Sequence, residues 1–241
     1  MQGYAAAYAR QAMAYIGQII GYKAQWEEDG KRYMEKRNPG GYMFSNADLR
    51  RLIFPLIVEQ ILAVSVGMVD TMMVSSVGEA ATSGVSLVDM VNTLFINIFA
   101  AVATGGAVVS SQYLGQKRQD RACQSADQLL IITGILSLAI MAVCIVFRRE
   151  FLSLLYRGVA EDVMRNARVY LVISALSYPF LSVYNSCAAL FRSMGNSKIS
   201  MQASIIMNMI NVIGDSIFIF IFRWGVAGAA LASLISRMAA C

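Results

Sequence analysis

The chain has 241 residues, 57% of them hydrophobic and 15% charged, with a mean hydropathy of +0.56 and a net charge of +5, which excludes an ordinary soluble domain and points to an integral membrane protein. The basic residues fall between apolar runs without forming one stripe, so they read as topology signals and not as a nucleic-acid surface. Histidine is absent, the four cysteines show no CxxC spacing, and no GxSxG, HExxH or P-loop pattern occurs, so neither an enzyme nor a zinc, haem or other cofactor site is expected.

In chain order, residues 1–44 read as an extension. MQGYAAAYARQAMAYIGQIIGY favours helix but is too interrupted to span a bilayer, lacks a convincing signal-peptide cleavage site, and is followed by a polar stretch that ends in Pro-Gly-Gly. An interfacial or loosely ordered segment is expected there. A new start follows at Met43, where Ser45 and Asp48 have the spacing of a capping box.

Residues 45–241 then carry six apolar runs, near 52–75, 85–111, 128–147, 169–191, 199–222 and 225–241. Each fits a tilted transmembrane helix, and none shows the period-2 alternation of a barrel strand, so the fold class is all-α, a six-helix transmembrane bundle. The connectors SSVGEAATSG, LGQKRQDR, RSMGNSK and FRWG are short and rich in turn formers. The longer third connector, Arg148 to Arg168, has the pattern of an interfacial amphipathic helix. Counting Lys and Arg beside the runs gives nine on the side of the N-terminus and six on the other, which predicts a cytoplasmic N-terminus.

Five charged residues lie inside the runs: Glu59, Asp70, Asp89, Asp215 and Arg237. Four are acids, whereas merely tolerated charges would favour Lys and Arg, which snorkel to the interface, so the bias suggests a cavity for cations. Glu59 and Asp89 fall nearer run ends, where headgroup water is expected to reach them. Asp70 and Asp215 are deeper, at similar depth in two runs of the same direction. Asn208, Asn211 and Asp215 follow an i, i+3, i+7 spacing that puts them on one helical face. Such a face suits a hard cation, a proton held on Asp, or interhelical hydrogen bonding.

Pro55 in the first run and Pro179 in the fourth each remove a backbone donor and permit a bend. Tyr170, Tyr178, Tyr184 and Asn185 in the fourth run either line a pocket for aromatic cations or anchor the helix at the interface. The small-residue runs AVATGGAVVSS and GVAGAALASLIS signal close helix packing.

From Met43 onward, LIFPLIVEQILAVSVGMVDTMMVSSVGEAA, ATGGAVVSSQYLGQKR, LFRSMGNSKISM and NVIGDSIFIFIFRWGVAGAALASLISR resemble, in order and spacing, the multidrug and toxic compound extrusion (MATE) transporters. The resemblance implies one lobe of a twelve-helix, multi-pass antiporter of the plasma membrane that exports organic cations and drugs against sodium or protons. It implies a cation site, with sodium as its ion if not a proton, at Asp70 of the VDT stretch, Asn211, Asp215 and Ser233, the last in place of the usual Thr. Asn208, Tyr178, Tyr184 and Asn185 would stand around that site, and Pro55 matches a family proline associated with bending of the first helix. Only the amino-terminal lobe is covered, so a missing carboxy-terminal lobe or a second copy is expected to complete the transporter, and the chain reads as a fragment. The competing expectations are a lipid-linked oligosaccharide flippase of the same superfamily, whose anionic substrate calls for cavity Arg or Lys, and a non-transporting truncated membrane subunit whose acids only join helices.

Overall fold

The computed structural model describes residues 46–241, the side chains of 46–48 and 51 excepted; the expected N-terminal extension, the start at Met43 and the Ser45–Asp48 cap lie outside it. Every regular element among the described residues is helical: α1 (Asn46–Ser75), α2 (Glu79–Gly115), α3 (Gln119–Val146), α4 (Arg148–Leu155), α5 (Glu161–Leu176), α6 (Tyr178–Ser193), α7 (Ser197–Asp215), a π-helical segment (Ser216–Ile221) and α8 (Gly225–Ala240). Four helices among the described residues are long and apolar enough to cross a membrane: α1, α2, α3 and α7 with its π segment. Taken together, α5 and α6, bent by 48° at their junction, are also long and apolar enough to cross, and α8 is a shorter apolar helix.

The helices are longer than the apolar runs because hydropathy marks only the part that lipid solvates. Thus α2 continues into the polar residues on both sides of 85–111, and α5 begins at Glu161, inside the expected interfacial connector. The interfacial helix is correspondingly short, ending at Leu155. The fourth run breaks at Ser177. Pro179 stands in the first turn of α6, where its missing N–H leaves no intrahelical bond unmade. Pro55 lies within α1, which runs unbroken through it.

Three apolar clusters follow one another along α2. The first gathers Val74, Val85, Val88, Leu152, Leu171 and Ile219; the second Phe99, Cys144, Tyr178, Leu181 and Tyr184; the third Ala103, Ala107, Leu129 and Leu190. Serine and threonine hydroxyls tie α6 to α3, with Ser182 Oγ donating to Ser137 Oγ and Ser186 Oγ to Thr133 Oγ1, both at 3.0 Å. Such pairs suit membrane helices, where lipid is as apolar as leucine and association rests on packing and interhelical hydrogen bonds.

Small residues let the backbones approach. A Cβ at Gly228 of α8 would stand 2.9 Å from Phe218 Cβ and 3.1 Å from the Phe218 carbonyl oxygen, and one at Gly214 of α7 would stand 2.9 Å from Ala232 Cβ. A Cβ at Gly84 of α2 would meet the Val163 carbonyl oxygen of α5 at 2.8 Å. By contrast α1 is seated loosely: 6% of its spanning window is buried, against 22–28% in α2, α3 and α7.

Gly228→Val is therefore expected to lower stability by about 1–3 kcal/mol through overpacking. Gly105→Ala, where nothing lies within 4 Å of the new methyl, should be neutral or slightly stabilising. Thermal unfolding in detergent, followed by circular dichroism, compares the two.

Candidate functional site

The C-terminal parts of α1 and α7 bring Asp70 and Asp215 together, each with roughly one and a half turns of its span remaining beyond it. Their carboxylates lie within hydrogen-bonding reach of one another. Asp215 is 0% exposed, and among the described residues neither of its oxygens has a donor; Asp70 Oδ1 is buried and likewise unpartnered among them. Two acceptors facing each other attract nothing until a proton, a cation or a water's hydrogens come between them. Left empty and fully ionised, the pair would suffer both desolvation and like-charge repulsion.

Around the pair, Asn211 Nδ2 donates to Ser233 Oγ of α8 at 3.3 Å, so the amide and the hydroxyl stand together one turn from Asp215. The structure thus places Asp70, Asn211, Asp215 and Ser233 on three neighbouring helices, α1, α7 and α8. Asn208 parts from them. Its amide donates to Ser204 Oγ at 3.3 Å on α7 itself, and its side chain borders an apolar groove of about 240 Å³ between α1 and α7, with Leu62, Val66, Met209, Val212 and Ile213.

The π segment begins directly after Asp215. Its wider turn is visible in the bond from the Phe222 N–H to the Ile217 carbonyl at 3.0 Å, and Phe218, Phe222 and Trp224 stack on one another beyond it. Single π turns recur beside functional side chains, because the wider turn re-aims the residues at its start.

A second polar group lies behind the pair. Asn92 Nδ2 donates to Asp89 Oδ1 at 3.3 Å, Tyr178 Oη donates to Asn92 Oδ1 at 2.7 Å, and the Tyr170 hydroxyl stands beside Asp89. The Arg237 guanidinium of α8 donates to Ser177 Oγ, at the break between α5 and α6, and lies within electrostatic range of Asp70 and Asp89. Asp89, half-buried, therefore has protein donors from α2 and α5 where headgroup water was expected to reach it. Glu59 differs from expectation in the same way: Arg192 pairs with it at 3.4 Å and Ser200 Oγ donates to it at 2.8 Å, which ties α1 to α6 and α7. Tyr178 and Tyr184 are buried, Tyr184 beside Ser204, and Asn185 Nδ2 is buried without a partner.

Comparison with known proteins gives this geometry a family. A family model described as MatE matches residues 55–217. The chain belongs to the MATE family. An uncharacterized transporter, YisQ of Bacillus subtilis, is 31% identical over 207 residues, covering 84% of this chain and 44% of that protein. A probable multidrug resistance protein, NorM of Bacillus licheniformis, is 26% identical over 194 residues, covering 79% of this chain and 42% of that protein. The fold is that of a MOP superfamily transporter from Pyrococcus furiosus and of a MATE family transporter in an outward-facing conformation. Each superposes with a TM-score of 0.76 at 22% identity, over 80% of this chain and 42% of theirs. The chain spans less than half the length of the relatives it matches.

Within this MATE lobe, sequence reasoning missed the partners of Asp89 and Glu59. The i, i+3 spacing of Asp89 and Asn92 was a usable local signal, whereas Tyr178, Ser177 and Arg237 are joined only by the tertiary fold. Tyr178→Phe should lower stability by about 1–3 kcal/mol, because the buried Asn92 oxygen loses its donor. Adding Asn92→Leu to Tyr178→Phe should not recover that loss, because it also takes the Asn92 donor from Asp89; denaturation titrations of the two variants measure it.

Proposed function

We propose that this lobe belongs to a cation-coupled antiporter that exports organic cations or drugs, and that Asp70, Asn211, Asp215 and Ser233 form its coupling site. The observation that carries the reading is the pair of facing carboxylates whose buried oxygens have no donor among the described residues. A hard cation prefers oxygen ligands, and the two carboxylates, the Asn211 amide oxygen and the Ser233 hydroxyl supply them. A proton shared between the acids would meet the same need. Either ion is the transporter's cargo and not a resident cofactor.

Three acids, Asp70, Asp89 and Asp215, share the region with one guanidinium, Arg237. The balance is negative, which supports an organic cation and argues against the anionic lipid-linked substrate of a flippase. The apolar groove between α1 and α7, bordered by Asn208 next to the site, suits the hydrocarbon part of such a cation. Entry of sodium or a proton neutralises the pair and weakens its hold on the organic cation, while a bound organic cation raises the threshold for the coupling ion. The two cargoes are thereby made competitive, as exchange requires. In the full transporter a second lobe, supplied by more of the same polypeptide or by another, would close the substrate path, and the assembly would sit in the plasma membrane with a cytoplasmic N-terminus.

Hydrogen exchange of α1 and α7, measured at stepped sodium concentrations and stepped pH, tests the site directly. Protection is expected to rise as the coupling ion binds, to be abolished in Asp70→Asn and in Asp215→Asn, and to be weakened about tenfold in apparent affinity in Asn211→Ala. A response to sodium at fixed pH identifies sodium; a response to pH alone identifies the proton. An unchanged response in both Asp variants would sink the proposal.

A further inference from the structure

The helix α4 and the start of α5 enclose a groove of about 460 Å³ lined by Arg149, Glu150, Ser153, Glu161, Met164 and Arg168. Its place follows from the spans on either side: α3 ends at Val146, and the apolar part of α5 begins at Val169, so the chain between them runs along a bilayer face. On α4, Arg149, Glu150 and Ser153 share one arc of the helix. On α5, Glu161, Met164 and Arg168 recur at i, i+3 and i+7 and so share another.

The groove is held firmly. Leu152 of α4 is 0% exposed in the first apolar cluster, Phe151 and Tyr156 pack against that cluster, and Tyr156 Oη donates to the Leu87 carbonyl of α2 at 2.8 Å. Beside it Leu154, 69% exposed, Leu155 and Val169 present apolar surface where acyl chains lie. Two guanidinium groups and two carboxylates thus meet at a membrane boundary. Among the described residues, none of the four forms an ion pair within 4 Å. Opposite charges that converge on one cleft without neutralising each other match a ligand that carries both signs.

We propose that this groove binds the headgroup of a zwitterionic phospholipid with a primary ammonium, phosphatidylethanolamine. Arg149 and Arg168 take the phosphate, for which the planar guanidinium offers paired donors, and Glu150 and Glu161 accept hydrogen bonds from the ammonium. Ser153 adds a hydroxyl, Met164 forms an apolar floor, and the acyl chains leave over Leu154 and Leu155. A phosphatidylglycerol headgroup would satisfy the arginines but meet two uncompensated carboxylates. The quaternary ammonium of phosphatidylcholine has no N–H for Glu150 and Glu161. The site is separate from the acid pair, so its fate does not depend on which ion, if any, the lobe couples.

The test uses the 241-residue chain, stripped of lipid in detergent and reloaded from an equimolar mixture of phosphatidylethanolamine, phosphatidylcholine and phosphatidylglycerol, with retained lipid read by native mass spectrometry. Phosphatidylethanolamine is expected to exceed each of the others about tenfold, the equivalent of one charge-assisted hydrogen bond. Arg149→Ala and Arg168→Ala should each lower its retention about tenfold. Because Arg168 is half-buried and Arg149 exposed, Arg149→Ala decides the matter should Arg168→Ala fail to fold. Glu150→Gln with Glu161→Gln should erase the discrimination against phosphatidylcholine and raise phosphatidylglycerol. Equal retention of the three lipids, a preference for phosphatidylglycerol in the unaltered chain, or variants indistinguishable from it would overturn the assignment.

Discussion

A carboxylate withdrawn from water without a donor is destabilised by several kcal/mol, and this MATE-family chain holds two side by side, Asp70 and Asp215, with three of their oxygens lacking a partner among the described residues. The remainder of the bundle makes that arrangement persist. Gly214 and Gly228 let α7 and its π segment lie flush against α8, which keeps Asp215 out of reach of solvent. Across the same contact Asn211 Nδ2 donates to Ser233 Oγ, which joins α7 to α8 one turn before Asp215. Among the described residues, three of the four buried side-chain polar atoms without a partner belong to the acids, and their demand is electrostatic in kind.

The spans and the deep acids were legible in the sequence because each rests on a local rule. A bilayer demands about twenty apolar residues, and a charge within such a stretch stands out. Asp70 meets Asp215, and Asn211, one turn before Asp215, meets Ser233. Asn208 shows where periodicity falls short: sharing a helical face with Asn211 and Asp215 did not decide its partner, because Ser204, one turn away on α7, engages its amide first. The bend in the fourth run was signalled by Pro179, whereas the break into two helices at Ser177 was not, since hydropathy is continuous there while the backbone is not. The π segment left no trace, for Ser-Ile-Phe-Ile-Phe-Ile reads as ordinary apolar helix. Whether a turn widens there depends on how Phe218 and Trp224 pack, which involves residues after the span.

Behind the acid pair, a line of hydrogen bonds runs from Asp89 through Asn92 to Tyr178, and Arg237 reaches Ser177, the neighbour of Tyr178 in the chain. Two polar contacts from separate helices therefore converge on the break between α5 and α6. A bent span with its hinge residues anchored on both sides is a fixed bend, and it gives the lobe a rigid wall opposite α1. Most of the polar atoms buried in this wall have partners, which separates it from the acid pair, where the missing partner is the notable feature.

Helix α1 is fastened at its middle and at its C-terminal end: Glu59 pairs with Arg192 and accepts from Ser200, and Val74 is sunk in the first apolar cluster, with Met73 beside Ser216. Between these supports lies the groove toward α7. In mechanical terms the stretch of α1 from Glu59 to Val74 is a beam on two supports above a gap. Such a beam bows at mid-length with little rotation at its ends, so the width of the gap changes while the end fastenings stay closed. Under the proposed function, cargoes of different girth would be accommodated by elastic deflection of one element, with no exchange of side-chain partners. Breadth of fit would then be a matter of the stiffness of α1 more than of the chemistry lining the groove.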